Sequence, residues 1–131
     1  MAALLLVVPS ALAATGGASS ASGAAEGDLA FSPYRYAGAS WYGGPSMWGR
    51  KTACGQTLRP KTLGVAHKTL PCGTTVKFAY HGHVLVTQVI DRGPYVKGRA
   101  WDFTAAASEA LALEGVGRVR YAVALSYARV G

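Results

Sequence analysis

Thr75-Val76-Lys77-Phe78-Ala79-Tyr80-His81-Gly82-His83-Val84-Leu85-Val86-Thr87-Gln88-Val89-Ile90-Asp91-Arg92-Gly93-Pro94 is the stretch that decides the architecture. Its first part places Val76, Phe78 and Tyr80 on one face, the period of two that marks a half-buried strand. Val84 to Ile90 alternates again, with Val84, Val86, Gln88 and Ile90 against Leu85, Thr87 and Val89. His81-Gly82 between the two runs is a two-residue hairpin loop, with Gly at a position that tolerates positive φ. Asp91-Arg92-Gly93-Pro94 then forces a turn.

Working outward, Ala39 to Tyr42 is a short strand ended by Gly43-Gly44-Pro45, and residues 45–61 are rich in turn formers. Trp101 to Phe103 is a brief strand. Thr104 is placed to cap a short helix over Ala105 to Leu113, where Ala106, Ala110 and Leu113 share a face and Gly115 stops it. Val119 to Tyr127 is the last strand, with Tyr121, Val123, Leu125 and Tyr127 on one side. Short strands, one helix and long irregular connections predict a mainly β fold, a small closed barrel that leaves no sheet edge free.

Composition agrees. The chain has 131 residues, half of them apolar and 15% charged, which is the make-up of one globular domain. Seventeen Gly and six Pro argue against a helix bundle. The longest strongly apolar run, Ala2 to Val8, is too short to cross a bilayer, so no stable membrane insertion is expected. Residues 1–14 read as a partial secretory signal: an apolar core, Pro9, and Ala11-Leu12-Ala13 as a small-x-small cleavage site. Residues 15–35, mostly Gly, Ala and Ser, read as a flexible linker, and residues 36–131 as the folded domain. In an exported chain Cys54 and Cys72 should pair, and closing that loop would contribute roughly 3 kcal/mol. The alternative is two free thiols; two cysteines alone do not make a four-ligand zinc site.

Two of the domain's four carboxylates stand out. Asp91 and Asp102 each follow a hydrophobic strand residue and each begin a turn, and the Gly- and Pro-containing loop between them would bring both to one barrel mouth. A carboxylic acid in a partly apolar cleft holds its proton and donates it to a leaving oxygen, and carboxylates beside a sugar bond are the usual apparatus of glycoside cleavage. The competing reading is two turn-capping Asp residues bound to backbone amides. Glu109 and Glu114 read as solvated charges. His67 would orient or charge-balance a catalytic carboxylate, or be structural. His81 and His83 flank the hairpin Gly with no third ligand nearby, so no metal is expected, and nothing signals a cofactor. Trp41, Tyr42, Trp48, Tyr95 and Trp101 cluster near Gly and Pro, either as flat platforms for sugar rings or as plugs at the barrel ends. The net charge of +7 comes from scattered residues, which speaks against nucleic acid and for an anionic cell wall or a merely solvated surface.

From Gly38 to about Val123 the chain resembles the rare lipoprotein A (RlpA) family. The matching pieces are Gly38-Ala39-Ser40-Trp41-Tyr42-Gly43, Arg50-Lys51-Thr52-Ala53-Cys54-Gly55, Ala66-His67-Lys68-Thr69-Leu70-Pro71, Gly73-Thr74, Asp91-Arg92-Gly93-Pro94-Tyr95, Gly98-Arg99 and Trp101-Asp102-Phe103-Thr104. The two cysteines look like those of disulfide-bearing secreted members of actinobacterial type. The resemblance implies a six-stranded double-psi β-barrel that cuts peptidoglycan as a lytic transglycosylase. The bond from N-acetylmuramic acid to N-acetylglucosamine would break, and the substrate's own hydroxyl would close a 1,6-anhydro ring. By this resemblance Asp91 matches the catalytic Asp and His67 an active-site His. Asp102 matches the Asp of expansins and of membrane-bound lytic transglycosylase A. Gln56, Trp41, Tyr42, Trp101, Arg92 and Tyr95 would hold the glycan. Lytic members carry Glu where this chain has Gln56, which hydrogen-bonds a sugar but transfers no proton. The expectation is a secreted monomer acting on wall glycan strands, with Asp91 as the first candidate acid. The alternatives are a non-catalytic wall-binding module of the expansin type, and a secreted inhibitor resembling barwin or kiwellin.

Overall fold

The computed structural model describes residues 29–125. Six strands, β1 (Arg35–Tyr42), β2 (Val65–Ala66), β3 (Thr75–Tyr80), β4 (His83–Asp91), β5 (Trp101–Thr104) and β6 (Gly117–Val123), close into a barrel in the order β1-β5-β2-β4-β3-β6. β1 and β5 run parallel, as do β2 and β4; the other neighbours are antiparallel. This is the double-psi β-barrel, and closure leaves no open edge. The β3–β4 hairpin turns at His81 and Gly82 with φ of 45° and 85°. Two positive φ values are what the right-handed strand twist demands of a two-residue loop.

Alternation chooses the core. Val76 and Phe78 of β3, Val89 of β4, and Trp101 and Phe103 of β5 are fully buried with Ala39, Val65 and Val119. Phe78 meets Trp101 and Phe103 edge-on at 4.9 and 4.7 Å between centroids. Burying each of these large side chains contributes about 1.5–3 kcal/mol. α1 (Ala105–Leu111) covers one side, its N-terminus capped by Thr104 Oγ1, which accepts from Ala107 N at 3.2 Å.

Several expectations change in detail. β2 was not anticipated: two residues carry no period. The helix ends at Ala112, in the left-handed region at φ 58°, and not at Gly115. Ala107, Ser108 and Leu111 form its inward face in place of Ala106 and Ala110. The early stop turns Leu113 into the core, where it is 3% exposed. β6 starts at Gly117 and ends at Val123; Tyr127 lies outside the described residues. The linker expected through residue 35 gives way earlier, because Phe31 bridges to Ala124, Ser32 Oγ accepts from Val123 N, and Leu125 N donates to Ala30 O. The expected signal and most of the linker also fall outside the described residues. Among the described residues no helix is long and apolar enough to cross a membrane.

One irregularity positions the chemistry. Val65 pairs with Val89, but Ala66 pairs with Asp91, so Ile90 is an extra residue on β4. Without this bulge Asp91 would follow Val89 toward the core; the extra residue turns it outward. Ile90 is buried against Gly64, where an added Cβ would overlap the Ile90 side chain.

Candidate active site

The registers place four residues in one row across four adjacent strands. Ser40 of β1 pairs with Asp102 of β5, Asp102 with Ala66 of β2, and Ala66 with Asp91 of β4. Trp101 and Phe103, on either side of Asp102, point into the core, so this row lies on the outer face. The acids stand two strand spacings apart, about 10 Å between Cα atoms, on either side of the strand that carries Ala66.

Their surroundings differ. Asp91 Oδ1 accepts from Ala53 N at 2.8 Å and from Arg92 N at 2.9 Å, and its Oδ2 accepts from Tyr42 Oη at 2.9 Å. Three donors thus fix the carboxyl group in place. Asp102 receives a bond from Ser40 Oγ, at 2.8 Å on its Oδ1. Burial pushes the Asp102 pKa up and the Asp91 charge adds to it, against the opposing pull of the Ser40 bond and of Arg99. Tyr42 is likewise pushed up, by burial and then by the Asp91 charge, so its phenol keeps its proton and acts as a donor.

The Ala53 amide reaches Asp91 because its loop is tied down. Thr52 N donates to Gln56 O at 2.7 Å and Gln56 N to Thr52 Oγ1 at 3.1 Å, closing a tight turn. Cys54 is joined to Cys72 with 5.7 Å between Cα atoms, which settles the pairing expected in an exported chain. Cys54 N donates to Ile90 O at 3.2 Å and Gly73 N to Val89 O at 2.8 Å, so both cysteine segments are sewn to the end of β4.

The other expected site residues divide. Trp101 is 0% exposed, ringed by His67, Phe78 and Tyr121, and offers no surface to a sugar; of the two readings it takes the core one. Tyr42, half-buried, gives its hydroxyl to Asp91. Arg92 clamps its own neighbourhood, with Nη1 donating to His67 O at 3.1 Å and Leu70 O at 2.6 Å and Nη2 lying 3.8 Å from Cys72 Sγ. His67 Nδ1 accepts from Thr69 N and Leu70 N, both at 3.1 Å, and its ring lies 4.5 Å from Trp101. Burial lowers its pKa, with Lys68 and Arg92 adding to the effect; the ring is neutral, and with Nδ1 accepting, its proton sits on Nε2. Trp41 and Tyr95 are exposed, at 44% and 75%, and are free to meet a ligand. Gln56 is exposed, its Oε1 accepting from Thr52 Oγ1 at 3.2 Å.

Two contributors escaped the sequence. Ala53 acts through its backbone amide, which no residue type signals. Ser40 could have been suspected from its place beside Trp41 and Tyr42. Among the described residues no three His, Cys, Asp or Glu side chains are grouped to hold a metal ion.

Comparison with known proteins fits this geometry. The family described as "Lytic transglycolase" matches residues 36–123. The "Probable endolytic peptidoglycan transglycosylase RlpA" of Synechocystis sp. is 44% identical over 85 residues, covering 62% of this chain and 26% of that protein. Its namesake in Aquifex aeolicus is 44% identical over 77 residues, covering 57% and 34%. The "Endolytic peptidoglycan transglycosylase RlpA" of Campylobacter jejuni is 40% identical over 72 residues, covering 53% and 26%. The chain thus spans about a quarter to a third of these relatives. Among solved structures, the Streptomyces papain inhibitor superposes with a TM-score of 0.56 at 22% identity, covering 75% of this chain and 99% of that one. Apo expansin of Clavibacter michiganensis superposes with a TM-score of 0.55 at 17% identity, covering 72% and 52%. These two likenesses establish the shared barrel. With the family matched along nearly the whole barrel, the chain belongs to the lytic transglycolase family.

Proposed function

We propose that this barrel is the cutting domain of an endolytic peptidoglycan transglycosylase, acting outside the cytoplasm on wall glycan strands. The observation that carries the reading is the row Ser40–Asp102–Ala66–Asp91, which holds two carboxyl groups on one outer face in opposite surroundings. The names of the relatives supply the substrate class. The cystine suits an oxidising compartment, in keeping with the apolar stretch within residues 1–14 read as a signal.

The reading assigns the first proton to Asp102 and not to Asp91. Burial pushes the Asp102 pKa up, which favours its acid form, while both oxygens of Asp91 are already engaged by donors from Tyr42, Ala53 and Arg92. Asp102 gives its proton to the glycosidic oxygen as the bond to C1 of the muramyl residue breaks. The positive charge growing on that sugar faces the Asp91 carboxylate, fixed beforehand by Tyr42, Ala53 and Arg92. The Asp102 carboxylate then takes the proton of the C6 hydroxyl as it attacks C1. The 1,6-anhydro ring closes, Asp102 is protonated again, and no water is consumed. Trp41 and Tyr95 offer exposed rings to flanking sugars, and Gln56 offers a hydrogen bond. His67 stiffens the loop behind Asp91 through the Thr69 and Leu70 amides.

The test is mass spectrometry of peptide-free glycan strands after digestion. New 1,6-anhydro ends that vanish in Asp102→Asn support the enzyme. Gln56 favours a second reading, a wall-binding module without cleavage, because an amide cannot shuttle a proton. Retention of the protein on strands that stay intact would select it.

A further inference from the structure

Away from the candidate site the barrel carries a second organised surface. In the closed order β1-β5-β2-β4-β3-β6, β6 lies three strands from β2 in either direction, so it faces away from the row centred on Ala66. On β6, Arg118 and Arg120 are both exposed and, two residues apart, project from the same side. Each guanidinium lies over a tyrosine: Arg118 over Tyr36 at 5.4 Å and Arg120 over Tyr34 at 4.7 Å. Next to them Lys77 of β3 lies over Phe31 at 4.6 Å. The tyrosines are 41% and 62% exposed at positions 34 and 36, so the stacked pairs stand in solvent. No Asp or Glu occurs on β1, β3 or β6; the carboxylates of the described residues are Asp91, Asp102, Glu109 and Glu114.

A guanidinium held over a ring has less conformational freedom to lose, and its N–H donors remain available to an oxyanion. Two such groups repeat along β6 at about 7 Å, which suits a linear polymer with successive anionic groups. We infer that the β6 face is a docking surface for a phosphodiester-linked polyol polymer of the cell wall, bound at the same time as glycan occupies the opposite face. The inference rests on the extracytoplasmic reading proposed above for its choice of polyanion, which the cystine suits. The docked polymer would hold the domain on the wall while the row of acids works on a separate strand.

The test measures binding of the full chain to soluble poly(glycerol phosphate) by calorimetry at low and moderate salt. Single-stranded DNA of equal charge and phosphatidylglycerol vesicles serve as competing probes. Binding should weaken with salt, and Arg118→Gln with Arg120→Gln should weaken it at least tenfold and flatten the salt slope by about two. Tyr34→Ala with Tyr36→Ala should cost several-fold, which a mere count of charges would not produce. The control Arg59→Gln with Lys61→Gln removes the same charge elsewhere and should change affinity less than twofold. Circular dichroism confirms that each variant is folded. Equal loss in the control, or tighter binding of the DNA or of the vesicles, overturns the inference. Formation of 1,6-anhydro ends on peptide-free strands should be unchanged in the Arg118 and Arg120 variant. A chain that binds the polymer yet cuts nothing would defeat the catalytic reading and leave this one standing.

Discussion

Asp91 and Asp102 flank the same alanine on the same face, yet the chain treats them in opposite ways. Asp91 ends β4, where the converging cystine loops bring backbone amides within reach. Asp102 sits inside β5, where the ladder already uses the neighbouring amides and the nearby side-chain donor is Ser40. A strand end supplies donors and favours charge; a strand middle supplies burial and favours the neutral acid. Position along the strand, more than residue type, thus gives two identical side chains different surroundings.

The harshest test of this contrast is Asp102→Asn, which keeps an acceptor for Ser40 but has no proton to give. The rate of 1,6-anhydro formation should fall by about 10²–10⁴. The pH profile discriminates further. The wild type needs Asp102 protonated, so its activity should decline as pH rises through the raised Asp102 value. That basic limb should survive in the residual activity of Asp91→Asn and disappear in Asp102→Asn. The reverse pattern would exchange the two roles.

Removing the cystine attacks Asp91 alone. Cys54→Ser with Cys72→Ser opens a loop with a separation of 18 residues and should cost roughly 3 kcal/mol of stability, read as a lower urea midpoint. Because Ala53 adjoins Cys54, the same variant should lower the turnover number at temperatures where it is still folded. Unchanged turnover would show that the amide stays in place without the bridge.

Tyr42→Phe deletes a single donor to Asp91, a bond to a charged group worth about 1.5–3 kcal/mol. About a tenfold loss in turnover with little change in KM is expected, and Tyr42→Trp should not rescue it. A tryptophan would suit a sugar platform, so rescue would restore the role that the sequence suggested.

Much of this was legible beforehand. The alternation of Thr75–Tyr80 and of Val84–Ile90, and the His81-Gly82 turn, define the hairpin because side-chain period and turn chemistry are local properties. Asp91, Asp102 and the cysteine pair were visible as exceptions: acids directly after hydrophobic strand residues, and two thiols in an otherwise cysteine-free chain, although Asp102 lies within β5 and does not begin a turn as expected. β2 was not visible, since its two residues become a strand only through the neighbours on either side. Nor was the fate of Tyr42, Trp101 and Arg92. Whether an aromatic ring faces a groove, a carboxylate or the core depends on the register between strands distant in sequence. The bulge at Ile90 sets which way Asp91 faces, which spacing along the chain does not encode.

The smallest expected effect concerns His67, which stands behind the Asp91 end of the row. Its pKa is lowered by burial and by the Lys68 and Arg92 charges, so the unfolded chain binds a proton there before the folded chain does. Stability is therefore fully present above the ordinary value of 6.5 and is lost as pH falls from there through the lower folded value. Protonation must occur on Nδ1, which would put a proton against the Thr69 and Leu70 amides. Asp102 acts in the other sense: its raised value means that the folded chain binds the extra proton, so acidification through that value adds stability. The two groups can be separated by substitution. In Asp102→Asn the loss of stability below pH 6.5 should be steeper than in the wild type, and in His67→Gln it should shrink. Urea midpoints measured at half-unit steps from pH 7.5 to 4.5 read both slopes. An acid loss that persists unchanged in His67→Gln would assign it to another group and remove His67 from the support of Asp91.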